Sequence, residues 1–281
     1  MRLDQYVAQY WPEYSRAVWQ KYIDAGYVKV NGETVTSSKK QLGEDDEVTV
    51  HIPEATDYSE HTLPVIFEND DVIVINKPSG VLTHSKGAVN EEFTLADFVR
   101  ERMTEPEDTN RPGIVHRLDR ATSGVIIAAK HPAAKHHLQK QFQDRKAKKE
   151  YLAIARGIPK HLSAAIDLPI ERNPKEPSKF RVGASGKPAH TDYEVLGHND
   201  RFSVFALRPT TGRTHQLRVH LEYMGTPILG DDVYGGGKSP IGRLALHARS
   251  LEITLPGGER KTFVAEPPED FARAMKGVIG E

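Results

Sequence analysis

Hydrophobic residues at the start of the chain follow two helical stripes and then change to strand-like alternation. Leu3, Tyr6, Val7 and Tyr10 recur three or four residues apart, which puts them on one helical face, and Pro12 ends the run. Ser15 suits the cap of a second helix whose apolar positions include Val18, Tyr22 and Ile23, and Gly26 supplies its stop. Val28 and Val30 then alternate into Asn31-Gly32, a strong signal for a tight hairpin turn, and Glu33, Thr34 and Val35 open the returning strand. Val48, Val50 and Ile52 alternate again, closing a compact helix-helix-strand unit over residues 1–52.

Residues 53–63 lack periodicity, begin with Pro53 and carry Glu54, Asp57 and Glu60, as expected of a linker. From residue 64 onward the pattern is rich in strands, and a second domain is expected over 64–281. Val65-Ile66-Phe67 and Val72-Ile73-Val74-Ile75 read as strands on either side of Asn69-Asp70-Asp71, with a turn at Asn76-Lys77-Pro78-Ser79-Gly80. Thr94 is suited to cap a helix reaching to about Met103, and Pro132 to open another that carries a basic run. Strands are expected at residues 113–118, 124–128, 151–155, 191–196 and 202–207, a helix from about Thr214 to Met224, and a strand pair within 244–255. Strands and helices do not alternate strictly. The expected class is therefore α+β, with a mainly antiparallel mixed sheet.

Composition narrows the chemistry. The 281 residues include no cysteine, so disulfides and thiolate metal sites are excluded. The first residues lack a basic-then-apolar leader and no apolar run is long enough to span a bilayer, so a soluble, cytoplasmic protein without a membrane partner is expected. A net charge of -1 does not by itself mark a nucleic-acid binder, yet the charge is unevenly spread. Residues 135–149 hold Lys135, Lys140, Arg145, Lys146, Lys148 and Lys149 against Asp144 alone. Taken alone, that run reads equally well as a solvated helix face or as a nucleic-acid contact.

Candidate chemistry concentrates in "HRLDRATSG", residues 116–124. Asp119 lies between an apolar run and a Thr-Ser-Gly turn, where a loop can present side chains to a cleft. Arg117 and Arg120 flank it and would favour the ionised carboxylate that a nucleophile or base requires. Local features alone favour a plainer role, in which Asp119 caps its own turn through Thr122 and Ser123.

Several separated motifs resolve the choice by resemblance. "RPGIVHRLDRATSG", "KKEYLAIARG", "RPTTGRTHQLRVHLEYMGTPILGDDVYGG" and "RLALHARSLEI" resemble, in content and order, pseudouridine synthases of the RluA and RluD type. "AGYVKVNGETV" and "GEDDEVTV" resemble the small S-four-type RNA-binding domain. The resemblance spans essentially the whole chain and implies the pseudouridine synthase fold and an isomerase acting on RNA, most naturally large-subunit ribosomal RNA. No cofactor is expected, because the isomerisation moves no atom in or out and changes no oxidation state, and no metal, because no ligand set is visible. A monomer is expected. By resemblance, Asp119 is the catalytic aspartate, Tyr151 the aromatic residue against the target base and Arg218 the salt-bridge partner of Asp119, with Arg213 of the same motif left open as the alternative partner. Arg117 is implied to enter the space vacated by an extruded nucleotide, and Leu246 to contribute to an apolar pocket. His215, Arg218 and Glu222 have helical spacing, whereas Arg213 sits at the expected helix start, where phosphate binding is natural. Further RNA contacts are expected from Arg120 and His215, from Lys148 and Lys149 of the basic run, and from Arg16, Lys21, Lys29, Lys39 and Lys40 of the N-terminal unit.

Other constellations carry less. His116, His131, His136 and His137 lack the paired spacing of a metallohydrolase, and "YGGGKS" at 234–239 lacks the spacing of a phosphate loop and reads as a flexible loop. Asp231 and Asp232 cannot be placed relative to Asp119. Two rival classes are a non-catalytic RNA-binding factor and a nucleoside hydrolase. The first would be expected to have lost at least one of Asp119, Tyr151 and Arg218, and the second needs another carboxylate to activate water.

Overall fold

The computed structural model describes residues 1–52, 56–85, 92–107, 109 and 111–280. Pro53 and Glu54 of the expected linker lie outside the described residues. In chain order the elements are α1 (Leu3–Tyr10), α2 (Arg16–Asp24), β1 (Val28–Val30), β2 (Glu33–Thr34), β3 (Val48–Val50), β4 (Val65–Glu68), β5 (Val72–Lys77), α3 (Leu95–Arg100), β6 (Ser123–Ala129) and α4 (Pro132–Gln143). There follow β7 (Lys148–Arg156), β8 (Ser163–Asp167), β9 (Ile170–Arg172), β10 (Phe180–Val182), β11 (His190–His198), β12 (Phe202–Pro209), α5 (Gln216–Tyr223), β13 (Leu246–Thr254), β14 (Arg260–Val264) and α6 (Glu269–Ile279). The chain forms two compact units, Met1–Glu60 with His84–Phe93, and His61–Thr83 with Thr94–Glu281.

In the first unit, β1 pairs antiparallel with β2 and β3. Asn31 and Gly32 have φ of 53° and 79°, the two left-handed positions that a tight hairpin turn needs. Leu3, Val7, Trp19, Ile23, Val28 and Val30 fill the core, so the helical and strand stripes read from the sequence meet each other. Ser15 sits at the start of α2 without a side-chain capping bond. Asp4, at the start of α1, is fully buried and receives hydrogen bonds from Arg2, Arg16 and Gln20 at 2.7–3.0 Å. Burial alone would raise its pKa, but the bonds from Gln20, Arg2 and Arg16 outweigh it and bring the carboxyl down to about 2.

The second unit is built on a nine-stranded sheet in the order β4-β5-β6-β13-β7-β12-β11-β8, with β14 added against β13. Its pairs are antiparallel except β6 with β13, which bears out the mainly antiparallel mixed sheet. At that parallel crossing Gly124 has φ 115°, and a Cβ there would collide with the Ala248 carbonyl. Only glycine therefore lets the chain enter the sheet centre immediately after the "HRLDRATS" loop. Thr94 caps α3 through a reciprocal pair of bonds with Asp97, and Pro132 opens α4.

Three expectations are corrected. Residues 113–118 form no strand beyond a single bridge from Ile114 to Ala128. Gly113 has φ 64°, and both the N–H and the carbonyl of Leu118 bond to the Thr83 hydroxyl instead of to a neighbouring strand. The expected helix at Thr214 begins instead at Gln216, because His215 takes a left-handed conformation with φ 57°. The strand pair expected within 244–255 is one strand, β13, whose partner β14 lies further along at 260–264.

Candidate active site

The loop at residues 116–122 is clamped through its main chain. Thr122 N–H donates to the Asp119 carbonyl at 3.0 Å, and Gly80 N–H to the Arg120 carbonyl at 2.8 Å. Ser79 Oγ donates to the Ala121 carbonyl at 2.8 Å and Thr83 Oγ to the Leu118 carbonyl at 2.9 Å. The last residue of β5, Lys77, is fully buried, and its Nζ donates to the carbonyls of Pro78, Val81 and Arg120 at 2.8–3.2 Å. Burial lowers the Lys77 pKa to about 7, against the opposing pull of Asp119. The turn is thus held by backbone acceptors and these donors, and the Asp119 carboxylate is left to face a cavity.

That cavity, about 450 Å³, is lined by Asp119, Tyr151, Arg218, Leu246, Arg117, Arg213, His215 and Lys149, with Leu118, Arg145 and Thr211 among others. Its volume lies in the range of small-molecule sites. Arg218 Nη1 donates to Asp119 Oδ2 at 3.3 Å, while its Nε and Nη2 hold both oxygens of Asp231 at 2.7 and 2.8 Å. Asp231 is buried and also accepts the N–H groups of Val233 and Tyr234, each at 3.0 Å. The Tyr234 hydroxyl accepts the Phe180 N–H and bonds His215 Nδ1, both at 2.9 Å. His215 Nε2 in turn stands 3.9 Å from Asp119 Oδ2. Burial depresses the His215 pKa against the pull of Asp119, which favours the neutral ring. Asp119, Arg218, Asp231, Tyr234 and His215 thus form a closed circuit of polar contacts.

Tyr151, on β7, pairs across to Ala248 of β13 and to Leu207 of β12. Burial, reinforced by the Asp119 charge, raises its pKa, so the phenol stays protonated at neutral pH. Lys149 Nζ donates to the Thr211 carbonyl at 3.1 Å, and burial lowers its pKa to about 8. His116 accepts the Ile127 N–H at Nε2 and stacks on Phe142 at 4.5 Å. Burial, with Lys149 nearby, lowers its pKa to about 3, so it serves the loop as a neutral ring.

The remaining expected residues lie elsewhere. Arg120 is exposed and does not line the cavity; its carbonyl takes part in the clamp. Lys148 points away and meets Glu252 at 3.2 Å. The basic run is not one face: Lys135 pairs with Glu107 and Lys146 with Asp144, whereas Arg145 and Lys149 reach the cavity. Arg16 and Lys21 belong to the first unit, where Arg16 directs Nε and Nη2 to Asp4 and Lys21 is exposed. Glu222 is exposed and does not share the cavity with His215 and Arg218. Sequence reasoning missed Asp231, Tyr234 and Lys77. The acidic pair in "GDDVYGG" does not tell the buried Asp231 from the exposed Asp232, and Lys77 follows Asn76 after the apolar run 72–75 with no local mark of its burial.

The RNA pseudouridylate synthase family profile matches residues 71–223, and that of the S4 domain residues 1–48. The ribosomal large subunit pseudouridine synthase D of Pasteurella multocida is 35% identical over 294 residues, covering 98% of this chain and 90% of that protein. An RNA pseudouridine synthase of Aquifex aeolicus is also 35% identical over 294 residues, covering 96% of this chain and 91% of its own. Among solved structures, human RNA Pseudouridylate Synthase Domain Containing 4 aligns with a TM-score of 0.61 and 27% identity, over 75% of this chain and 91% of that one. Human RNA Pseudouridylate Synthase Domain Containing 1 gives 0.59 and 32%, over 74% and 84%. The chain belongs to the RNA pseudouridylate synthase family, with an N-terminal S4 domain, and is an RNA-modifying isomerase.

Proposed function

We propose that this enzyme converts uridines of large-subunit ribosomal RNA to pseudouridine, with Asp119 as its catalytic carboxylate. One observation carries the assignment: the Asp119 turn is held by its backbone, while its carboxylate faces the cavity beside Arg218. The ribosomal target follows the activity named for relatives about 35% identical over nearly the whole chain.

The reaction breaks the bond from the sugar carbon to uracil N1 and joins the same carbon to C5. C5 loses a proton and N1 gains one, so atoms balance and no redox partner is needed. Such a site requires an ionised carboxylate, a cation to orient it, and an apolar enclosure that retains the detached base while it turns. Asp119, Arg218 and the Tyr151 and Leu246 side chains fill these roles. The target nucleotide leaves its stack to reach the cavity, at a cost on the order of a few kcal/mol, offset by pocket and phosphate contacts. Arg117, exposed and lining the cavity, would occupy the vacated space, and Arg213, which also lines it, would meet a phosphate. A hydrolase reading loses ground because Asp231, the nearby second carboxylate, is buried and engaged by four N–H donors, leaving it unsuited to activate water.

The test is to incubate the protein with large-subunit ribosomal RNA and, in parallel, with transfer RNA, both transcribed in vitro, and to map pseudouridine by carbodiimide labelling and primer extension. Wild type is expected to modify discrete uridines. Asp119→Asn keeps shape and removes the charge, so it should fold, bind the RNA and form no pseudouridine. Turnover by that variant near the wild-type rate would place the catalytic carboxylate elsewhere, and modification confined to transfer RNA would displace the ribosomal target.

A further inference from the structure

A second cleft lies beside the Asp119 cavity, between the β9–β10 hairpin and the loop at residues 212–214. Gly212, Arg213 and Thr214 line both spaces, so one loop separates them. The charged residues lining the second cleft are Glu171, Arg172, Lys187 and Arg213. Glu171 is taken by Arg181, which donates Nε and Nη2 to one of its oxygens at 2.9 and 2.7 Å. The three remaining cations stand in no ion pair among the described residues. Two of them are held instead by neutral carbonyls: Arg172 Nη1 donates to Pro177 O at 2.6 Å, and Arg213 Nε to Pro188 O at 3.0 Å. Lys187 is fixed through its main chain, which exchanges bonds with Ile170 at 2.9 and 3.0 Å. A carbonyl orients a cation without cancelling its charge. The cleft therefore keeps a preset positive field next to the candidate catalytic site.

The same hairpin is tied to the Asp119 circuit. Phe180, at the start of β10, lines the cleft, donates its N–H to Tyr234 and sets its ring against His215 at 5.7 Å. The second cleft is thus built on the same support as the cavity.

We infer that this cleft is a second RNA subsite, which holds the backbone of the strand flanking the target uridine with its phosphates against Arg172, Lys187 and Arg213. The inference rests on reading the Asp119 cavity as the uridine site. An extruded nucleotide remains joined to its neighbours, so the strand must leave the cavity along a wall, and this wall offers three uncancelled cations. Phosphate contacts of this kind position a strand without reading its sequence.

The test compares wild type with the double variant Arg172→Ala/Lys187→Ala; both side chains are exposed, so folding is expected to hold. A control of equal charge change, Arg273→Ala/Lys276→Ala, lies on α6 away from both cavities. The probe is in vitro transcribed large-subunit ribosomal RNA, with affinity measured across a salt series and turnover measured on the same RNA. The cleft variant is expected to bind about tenfold more weakly and to show a shallower salt dependence, by about 0.7 in log-log slope for each phosphate it no longer neutralises. Its KM should rise while kcat falls less than twofold. Wild-type turnover with unchanged affinity and slope in the cleft variant overturns the inference alone. So does an equal loss in the control, which would reflect overall charge, or a fall in kcat at unchanged KM. Wild type that binds this RNA and forms no pseudouridine would overturn the uridine reading of the cavity and the inference with it. Should the double variant unfold, Lys187→Gln alone gives the same test with about half the slope change.

Discussion

A guanidinium presents five N–H donors in one plane, and Arg218 divides them between two carboxylates. Nε and Nη2 grip Asp231, which is itself pinned by the Val233 and Tyr234 amides, so the remaining Nη1 is aimed at Asp119 from a fixed base. Asp119, Arg218 and Asp231 carry a formal charge of about -1 together, a balance that keeps one carboxylate compensated from behind and the other open to the cavity. A lysine in this place is a point charge and cannot span both partners. Arg218→Lys is therefore expected to cost about 1–2 kcal/mol of stability through the lost forked bonds. Single-turnover pseudouridine formation should slow about 100-fold, the order reached when a reacting group is misplaced by an ångström. Urea unfolding and quenched single-turnover assays measure the two effects separately. A rate within twofold of wild type would mean that Arg218 does not orient the carboxylate.

At the scale of elements, α1 and α2 are locked by one buried charge. Asp4 has its pKa lowered to about 2 from an ordinary 3.8, so its contribution to stability is fully present above pH 4 and is lost as pH falls through 2. Each tenfold change in proton affinity between the folded and unfolded chain is worth about 1.4 kcal/mol, so the wild-type unit should lose up to about 2 kcal/mol across that window. Asp4→Asn should be less stable at neutral pH and should lack this acid-dependent step. Both tryptophans, Trp11 and Trp19, lie in this unit, so their fluorescence during urea unfolding follows it selectively. An acid step of equal size in Asp4→Asn would assign the loss to other carboxylates. The helices and hairpin of this unit were legible because period, stops and turn residues agreed over short spans. Strand β5, strand β6 and helices α3 and α4 were legible for the same reason. The segment at 113–118 misled because its apolar residues are buried by a loop, with Thr83 in place of a neighbouring strand. Strands β9 and β10 have three residues each, too few to show a period, and β8 and α6 were not read at all. In the candidate site, motif content pointed to Asp119, Tyr151 and Arg218, whereas Asp231 and Lys77 act through contacts across 13 and 43 residues that no local pattern carries.

For the whole molecule, a net charge of -1 is reconciled with an RNA substrate only if acids and bases are segregated. In the S4 domain, Asp4 compensates part of the positive charge of Arg2 and Arg16, which leaves Lys21, Lys29 and Lys39 as exposed cations outside any ion pair among the described residues. We expect them to be the side chains through which this domain holds RNA. Replacing all three with alanine touches no residue of the core and should leave folding unchanged. It should weaken binding to large-subunit ribosomal RNA and make the dependence of log affinity on log salt shallower by about 2, because each phosphate left without its cation removes roughly 0.7–0.9 from the slope. The rate at saturating RNA should be preserved, since the candidate catalytic residues all lie in the other unit. That outcome is the reverse of Asp119→Asn, which is expected to bind and not to turn over. Filter binding across a salt series, run beside turnover on the same RNA, separates the two. An unchanged slope in the triple variant would mean that these lysines only solvate the surface, and that the phosphate contacts come from the unit that carries Asp119.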